Sequence, residues 1–240
     1  MVNSPDKPAP TDSHVEPPDP VAVLRKTQWA ALKHARGRAD AVVTLLRHLI
    51  DDDPDVRTAA LEVLELVTHQ NSIYSVTAPV ALYVAGILSD PRTVPVIKAY
   101  PTWRGGSGCL RVILLDFLGG VAEDVGDETV GAAASAGYRM EDDPAVTAVW
   151  AARPAMFASV SRYLGDSDAQ VRNSAVVAAG HLLDAPELLG HRSALRAPLR
   201  DASVTSRDFY QRARAEHTLQ SWGTHSAAVV DSGKAGLPPF

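Results

Sequence analysis

The sequence predicts an all-α protein in which helices pair and the pairs stack along the chain. Three observations lead to this prediction. Apolar residues recur at helical spacing through the middle of the chain, strand-like alternation is scarce, and one short motif occurs more than once. Apolar residues make up 46% of the 240 positions and are mainly Ala, Val and Leu, which favours closely packed helices. We therefore expect one helical domain over residues 21–223.

The individual helices follow from apolar spacing, caps and helix breakers. Asp53 and Pro54, for example, form a pair that caps and opens a helix. Pro95, Pro101 and the glycine-rich stretch at 104–108 predict an irregular connection between helices. The predicted helices are 27–35, 40–50, 54–69, 76–89, a partner at either 91–100 or 107–123, then 127–139 with 143–152, 154–165 with 168–184, and 187–199 with 206–222.

The two ends of the chain differ from the middle. Residues 1–20 are rich in proline, and both they and residues 224–240 lack periodic apolar positions. Such segments bury too little apolar surface to offset the entropy lost on ordering. We therefore expect a disordered N-terminal arm and a disordered C-terminal tail.

A recurring motif divides the helices into repeats. The pattern D-x-D-x-x-V-R-x-x-A occupies residues 51–60 and again residues 166–175. A third copy places Asp201 and Arg207 in the same relation, and a weaker copy at 142–152 has Thr147 where the arginine is expected. The regular return of one motif is typical of proteins built from stacked structural repeats.

This motif resembles that of HEAT repeats, which form α-solenoids of antiparallel helix pairs. The resemblance spans roughly residues 28–222 and implies a right-handed superhelix of about five helix pairs. It also implies that the turn Asp and the following Arg form a ladder between adjacent repeats. The opening segment, W-x-x-L-x-H-A-x-G followed by H-Q-x-[ST]-x-Y-x-x-T, resembles a group of actinobacterial HEAT-repeat proteins. The ladder residues would be Asp53, Arg57, Asp168, Arg172 and Arg207.

The end of the third predicted helix collects polar side chains that are candidates for binding. Glu62, Glu65 and His69 are three and four residues apart, so they share one helix face. Gln70 and Tyr74 follow in the turn. In HEAT solenoids the second helix of each pair lines the concave surface, which implies that these residues face a groove. Three interpretations remain open: the residues tie two repeats together, bind a partner, or catalyse a reaction with Glu65 tuning His69.

The stretch WRGGSGC at 103–109 offers a second set of candidates. Trp103 is either an exposed anchor for a partner or packs beneath its own loop. Arg104 and the glycines have the look of a phosphate cradle, but the P-loop pattern and its preceding strand are missing. We therefore favour a flexible loop between helices. Cys109 is expected to be a small buried residue, with a reactive thiol as the alternative.

Composition and spacing also weigh against several classes of protein. Of the net charge of −5, the first twenty residues carry −3 and the rest −2, which argues against nucleic-acid binding. The eight histidines show no metal-binding spacing, so we expect neither a metal nor a cofactor. A single cysteine suits a reducing cytosol, and no apolar run approaches the length of a membrane span.

These features favour a non-catalytic module whose concave groove binds a protein partner. An acidic groove would suit a basic partner, as in an immunity or antitoxin role. The alternative is an enzyme on the same scaffold, similar to DNA glycosylases built from HEAT-like repeats or to a tailoring enzyme of a biosynthetic pathway. A third hypothesis is that the Pro-rich arm acts as a tether. A small-molecule ligand also remains open.

Overall fold

The computed structural model describes residues 15–97 and 108–232, with side chains described as far as residue 223. The chain begins with α1 (Pro20–Lys26), a short antiparallel hairpin of β1 (Lys33–His34) and β2 (Gly37–Arg38), and then α2 (Val42–His48), α3 (Pro54–Ala60) and α4 (Glu62–Val67). The middle contains α5 (Thr77–Ile87), β3 (Val96–Ile97), which pairs with β4 (Gly108–Cys109), α6 (Leu110–Glu123) and α7 (Asp127–Ser135). The last part consists of α8 (Pro144–Val160), α9 (Ala169–Leu182), α10 (Arg192–Thr205) and α11 (Phe209–Ser232).

The architecture is an all-α, HEAT-like solenoid. Three consecutive helix pairs, α5/α6, α8/α9 and α10/α11, stack so that α5 lies beside α8 while α6, α9 and α11 lie side by side. The second helices of the pairs therefore form one continuous layer. Their apolar faces, together with those of α5 and α8, make one core. Its largest fully buried side chains are Leu46, Leu49, Ile87, Leu88, Leu110, Leu114, Leu115, Leu118, Met156, Leu182, Leu183 and Leu199.

Several predicted helices have different bounds in the structure. Residues 27–35 form a 3-10 turn at Trp29–Ala31 and the hairpin β1–β2 instead of a helix. The hairpin backbone is held by distant groups: the Ala35 N–H donates to the Leu66 carbonyl (3.1 Å) and the Lys33 N–H to the Ser75 hydroxyl (2.9 Å). These tertiary hydrogen bonds outweigh the local helical pattern.

Two further differences concern α7, α8 and α11. The predicted pair 127–139 and 143–152 does not form, because α7 buries no residue and α8 continues through Pro154 to Val160. Trp150 and Arg153 anchor α8 by donating to the Val125 carbonyl at 2.9 and 2.6 Å, which supports the helix where proline removes an internal bond.

Helix α11 runs to Ser232, ten residues beyond the predicted end at 222. The predicted N-terminal arm, apart from residues 15–20, lies outside the described residues.

The two copies of the Asp–Arg motif have the same structure. In each copy the Arg Nη1 donates to two backbone carbonyls of the turn before its own helix: Arg57 to Asp51 and Asp52, and Arg172 to Asp166 and Ser167. The second Asp of each motif, Asp53 or Asp168, caps the helix N-terminus by accepting a backbone N–H. The predicted ladder between repeats is therefore wrong in its connectivity, because each arginine closes a turn within one repeat.

The third copy of the motif is also placed differently. Arg207 is exposed in the turn between α10 and α11, so its assignment to the repeat architecture is wrong. The equivalent residue is Arg212, whose Nη1 donates to the Ser206 carbonyl at 2.7 Å, while Asp208 caps α11 at the Tyr210 N–H (2.7 Å). Ser206 stands where the other copies have Asp, and its hydroxyl accepts the Asp208 N–H in the same way (3.2 Å). Because Ser206 occupies the Asp position of the motif, the sequence pattern did not identify this copy.

A second set of arginines caps helix C-termini. Arg111 Nε donates to the Leu88 carbonyl after α5 (3.0 Å), and Arg153 Nη2 donates to the Ala122 carbonyl near the end of α6 (3.2 Å). Arg192 Nε donates to the Leu183 carbonyl after α9 (3.0 Å). Each guanidinium supplies hydrogen bonds to carbonyls that have no partner within their helix. The arginines thus join helices that are neighbours in the stack through the backbone.

Alanine variants of Arg212 and Arg207 test which of the two arginines closes the turn between α10 and α11. We expect Arg212→Ala to lower the free energy of unfolding by about 2 kcal/mol, because it removes a charge-assisted hydrogen bond that closes the α10–α11 turn. Arg207→Ala removes an exposed side chain of the same turn and should change stability by less than about 0.5 kcal/mol. Urea unfolding followed by circular dichroism measures both variants. Equal losses would contradict the register assigned here.

Adjacent glycines in α6 test how closely the second helices approach. A Cβ on Gly119 would lie 2.9 Å from Ala178 Cα in α9, whereas a Cβ on Gly120 would meet nothing within 4 Å. We expect Gly119→Ala to destabilise the fold by roughly 1–3 kcal/mol through overpacking. The control, Gly120→Ala, should be neutral or stabilising by up to about 1 kcal/mol, since Ala favours the helix. Thermal unfolding compares the two, and a Gly119→Ala variant as stable as Gly120→Ala would refute the close contact.

Candidate functional site

A cavity of about 870 Å³ lies along the exposed side of the layer formed by α6, α9 and α11. Helix α7 contributes Asp127, Glu128, Thr129 and Ala132 to one wall, and the turn after α4 contributes Thr68 to Asn71 at one end. We call this cavity the groove. It draws on helices from every part of the solenoid, so its shape depends on the stacking of the pairs.

The groove concentrates negative charge. It is lined by eight carboxylates and a single arginine, Arg214, a formal charge of −7 with histidines neutral. The whole chain carries −5, so the residues outside the groove together carry +2. The groove therefore carries more negative charge than the chain as a whole. The carboxylates are those of Glu65, Asp116, Glu123, Asp124, Asp127, Glu128, Asp184 and Asp208.

Close polar contacts link the walls of the groove. Arg214 Nη2 lies 2.7 Å from Glu123 Oε2 and His217 Nε2 lies 2.7 Å from Glu128 Oε2, so α11 is linked to both α6 and α7. Arg192 approaches from outside the groove, with Nη2 2.7 Å from the Asp184 carboxylate. Helix α7 also packs against the core through Val130 and Ala133, and its Thr129 hydroxyl donates to the Glu123 carbonyl at 3.0 Å.

His181 is a buried polar residue in the wall of the groove. Its side chain is 7% exposed, and its Nε2 has no hydrogen-bond partner in the described part of the chain. Burial lowers the pKa of His181 well below its usual value, and the charges of Arg214 and His217 add to this effect. The imidazole is therefore neutral at pH 7, and a neutral imidazole carries one acceptor nitrogen.

Asp184, one helical turn further along, shows the opposite shift. Burial raises the pKa of this carboxyl, and the neighbouring charge of Asp127 raises it further, while Arg192 acts against both. Repulsion by the neighbouring Asp127 carboxylate therefore adds to the larger effect of burial at Asp184. A cation that entered the groove would relieve this repulsion.

The structure separates the residues that the sequence grouped as binding candidates. Glu65, His69 and Gln70 line the groove, whereas Glu62 is exposed and lies outside its lining. The Tyr74 hydroxyl donates to the His69 carbonyl at 3.4 Å, and Tyr74 is not part of the lining. Trp103 and Arg104 lie outside the described residues.

The turn itself has a structural function. The Thr77 hydroxyl donates to the Val67 carbonyl at 2.6 Å and accepts the Tyr74 N–H at 2.9 Å. Gln70 and Asn71 both have positive φ, 55° and 56°, which reverses the chain between α4 and α5. The turn that ties two repeats together therefore also presents His69 and Gln70 to the groove.

Most of the acidic residues of the groove were missed by sequence reasoning. They come from α6, α7, α9 and the start of α11, and only the stacking of these helices brings them together. One signal was present in α6, where Asp116, Gly120, Glu123 and Asp124 form the single polar stripe of an otherwise apolar helix. That stripe is the side of α6 that faces the groove.

Other types of site receive little support from the described residues. No group of three or more His, Cys, Asp or Glu side chains within residues 15–97 and 108–232 is arranged to hold a metal ion. Cys109 is half-buried, and burial raises the pKa of its thiol, which is the reverse of what a reactive thiolate requires. None of the described helices combines the length and the apolar character needed to cross a bilayer.

A known protein family matches part of the chain. The family model for a HEAT repeat associated with sister chromatid cohesion matches residues 152–176, which run from the second half of α8 into the first half of α9. This is one helix–turn–helix unit of the observed stack, and it supports the HEAT-like repeat. Neither the curated proteins nor the solved structures contain a match.

The burial of neutral His181 predicts a pH dependence of stability. Its folded pKa is depressed, so below its ordinary pKa of about 6.5 the unfolded chain takes up a proton that the folded chain resists. Its contribution to stability is complete above this pH and is lost as the pH falls, by at most about 1.4 kcal/mol per pH unit. The free energy of unfolding, measured with urea at a series of pH values below 6.5, should fall less steeply with decreasing pH in His181→Leu than in the wild type. The control His191→Leu removes an exposed imidazole. It should keep the pH dependence of the free energy of unfolding that His181 causes. An unchanged slope in His181→Leu would contradict this assignment.

Proposed function

We propose that this protein is a non-catalytic, protein-binding repeat module whose groove takes a cationic segment of a partner protein. HEAT repeats generally act as scaffolds for protein interaction, because stacked pairs present an extended surface. The observation that carries the proposal is the charge distribution: the groove holds −7 in a chain whose total is −5. Like charges destabilise the fold when gathered on one face, so a function that uses them accounts for their presence.

The buried His181 supports a ligand as well. Buried polar atoms are nearly always hydrogen-bonded, and those that are not call for an explanation. His181 Nε2 is such an atom, in a residue that lines the acidic cavity. Basic side chains carry the positive charge that complements the carboxylates of this surface.

The same charges disfavour a nucleic-acid ligand. A DNA or RNA backbone needs cations against its phosphates, whereas the groove offers one arginine, already paired with Glu123. The glycosylase-like alternative is therefore not the one that this surface supports. The charge distribution favours the basic protein partner.

Within this proposal, the module acts as an immunity or antitoxin-type protein that captures a basic toxin. Electrostatic complementarity would speed the association and set its specificity. An actinobacterial source and a cytoplasmic location belong to the same proposal. They are supported by the resemblance of the opening segment and by the single cysteine.

Two glutamates on α4 provide a matched test. Glu65 lines the groove and Glu62 does not, although both are exposed on the same helix. We expect Glu65→Lys to weaken the binding of a labelled oligolysine peptide by about 5- to 10-fold at low salt, since it reverses one charge beside the ligand. Glu62→Lys should reduce affinity by less than about 2-fold, because an exposed charge outside the groove is screened. Fluorescence anisotropy at several salt concentrations measures both.

The outcome separates a groove from a general charge effect. Equal weakening by Glu62→Lys and Glu65→Lys would show that the peptide responds to net charge alone and would refute the groove as the binding surface. Wild-type affinity that does not fall as salt rises would refute the electrostatic basis of the proposal.

A further inference from the structure

Tyr210 is an aromatic residue on the rim of the groove. It lies in the first turn of α11, its side chain lines the groove, and it is 56% exposed. Its backbone is held in place because the Asp208 carboxylate accepts the N–H groups of Tyr210 (2.7 Å) and Gln211 (3.3 Å). The ring thus stands on a fixed helix terminus and presents its surface to an acidic cavity.

Other aromatic rings in this chain lie beside the guanidinium groups of arginines. The guanidinium carbon of Arg111 lies 4.9 Å from the centre of the Tyr163 ring, and that of Arg192 lies 5.2 Å from the Trp222 ring. Arg212 lies 5.8 Å from the ring of Phe209, next to Tyr210. These distances are in the range of cation–π attraction. Over the ring of Tyr210, no guanidinium is found among the described residues.

We infer that the groove is selective for arginine over lysine and that Tyr210 makes the selection by stacking against the guanidinium of the partner. This inference rests on the proposed function, since it concerns which basic residue the groove takes. A guanidinium is flat and weakly hydrated, so it can lie on an aromatic face and still direct N–H groups outward at its edges. An ammonium is compact and strongly hydrated, and it gains less from the ring.

The groove supplies acceptors for those outward N–H groups. An ionised carboxylate accepts up to about four hydrogen bonds, so Asp208 keeps acceptor capacity beyond its two backbone contacts. The unpaired Nε2 of His181 shows that the groove wall holds a further polar atom without a partner in the described residues. A ring for the face of the cation and oxygen atoms for its edges are the two elements of arginine recognition.

The test compares two probes on four proteins. The probes are fluorescently labelled oligoarginine and oligolysine of equal length, and the proteins are wild type, Tyr210→Leu, Tyr210→Phe and Phe209→Leu. We expect the wild type to bind oligoarginine about 3- to 10-fold more tightly than oligolysine, the range that a partly exposed cation–π contact provides. Tyr210→Phe keeps the ring and should keep the ratio, whereas Tyr210→Leu should bring it close to one.

Phe209→Leu is the control for the neighbouring ring, because Phe209 is 66% exposed and contacts the Tyr210 ring edge-on (5.8 Å between ring centres) but does not line the groove. Its ratio should equal that of the wild type. Thermal unfolding of each variant confirms that these exposed substitutions leave the fold intact. An arginine preference that survives in Tyr210→Leu would overturn the role of Tyr210 while leaving the acidic groove as a binding site. Failure of both probes to bind the wild type would overturn this inference and the proposed function together.

Discussion

The hydrogen-bonding of backbone carbonyls at helix ends is the constraint on which this structure depends. A solenoid of short helices has many such ends, and each leaves carbonyl groups without partners inside the helix. Here arginine supplies the donors in two ways: Arg57, Arg172 and Arg212 close the turn before their own helix, and Arg111, Arg153 and Arg192 cap the end of a preceding helix. The guanidinium suits this task because its five N–H groups reach several carbonyls at once.

The groove is a consequence of these turns. Once the turns set the pairs in register, α6, α9 and α11 lie side by side, closely enough that Gly119 touches Ala178. The side of each helix away from the core then faces one cavity, and its acidic residues meet there. The Arg214–Glu123 ion pair offsets part of the repulsion, and repulsion by Asp127 adds to burial in raising the pKa of Asp184. The electrostatic state of the groove is thus tied to the same helix stacking that makes the core.

Particular elements show where local signals were sufficient. The cap at Asp53 has the residue type and the backbone conformation that a helix start requires, and it was predicted from its own few residues. The hairpin at Lys33–Arg38 was not, because its hydrogen bonds go to Leu66 and Ser75. Helix α8 passes Pro154 for a similar reason, since Trp150 and Arg153 bind a carbonyl at the end of another helix. In each of these cases a partner remote in sequence outweighed a local preference.

By itself, the sequence determined the helical class, the stacking of helix pairs and the turn motif at Asp51 and Asp166, because caps, apolar periodicity and repeats act over a few residues and are visible along the chain. Only the tertiary structure decided the composition of the groove, the separation of Glu65 from Glu62 and the exposure of Tyr210 beside the acidic residues. The physical reason is that charge accumulates through the folding of distant helices onto one surface. A net charge of −5 over the whole sequence gives no indication that the residues lining one cavity carry −7 and the remaining residues +2.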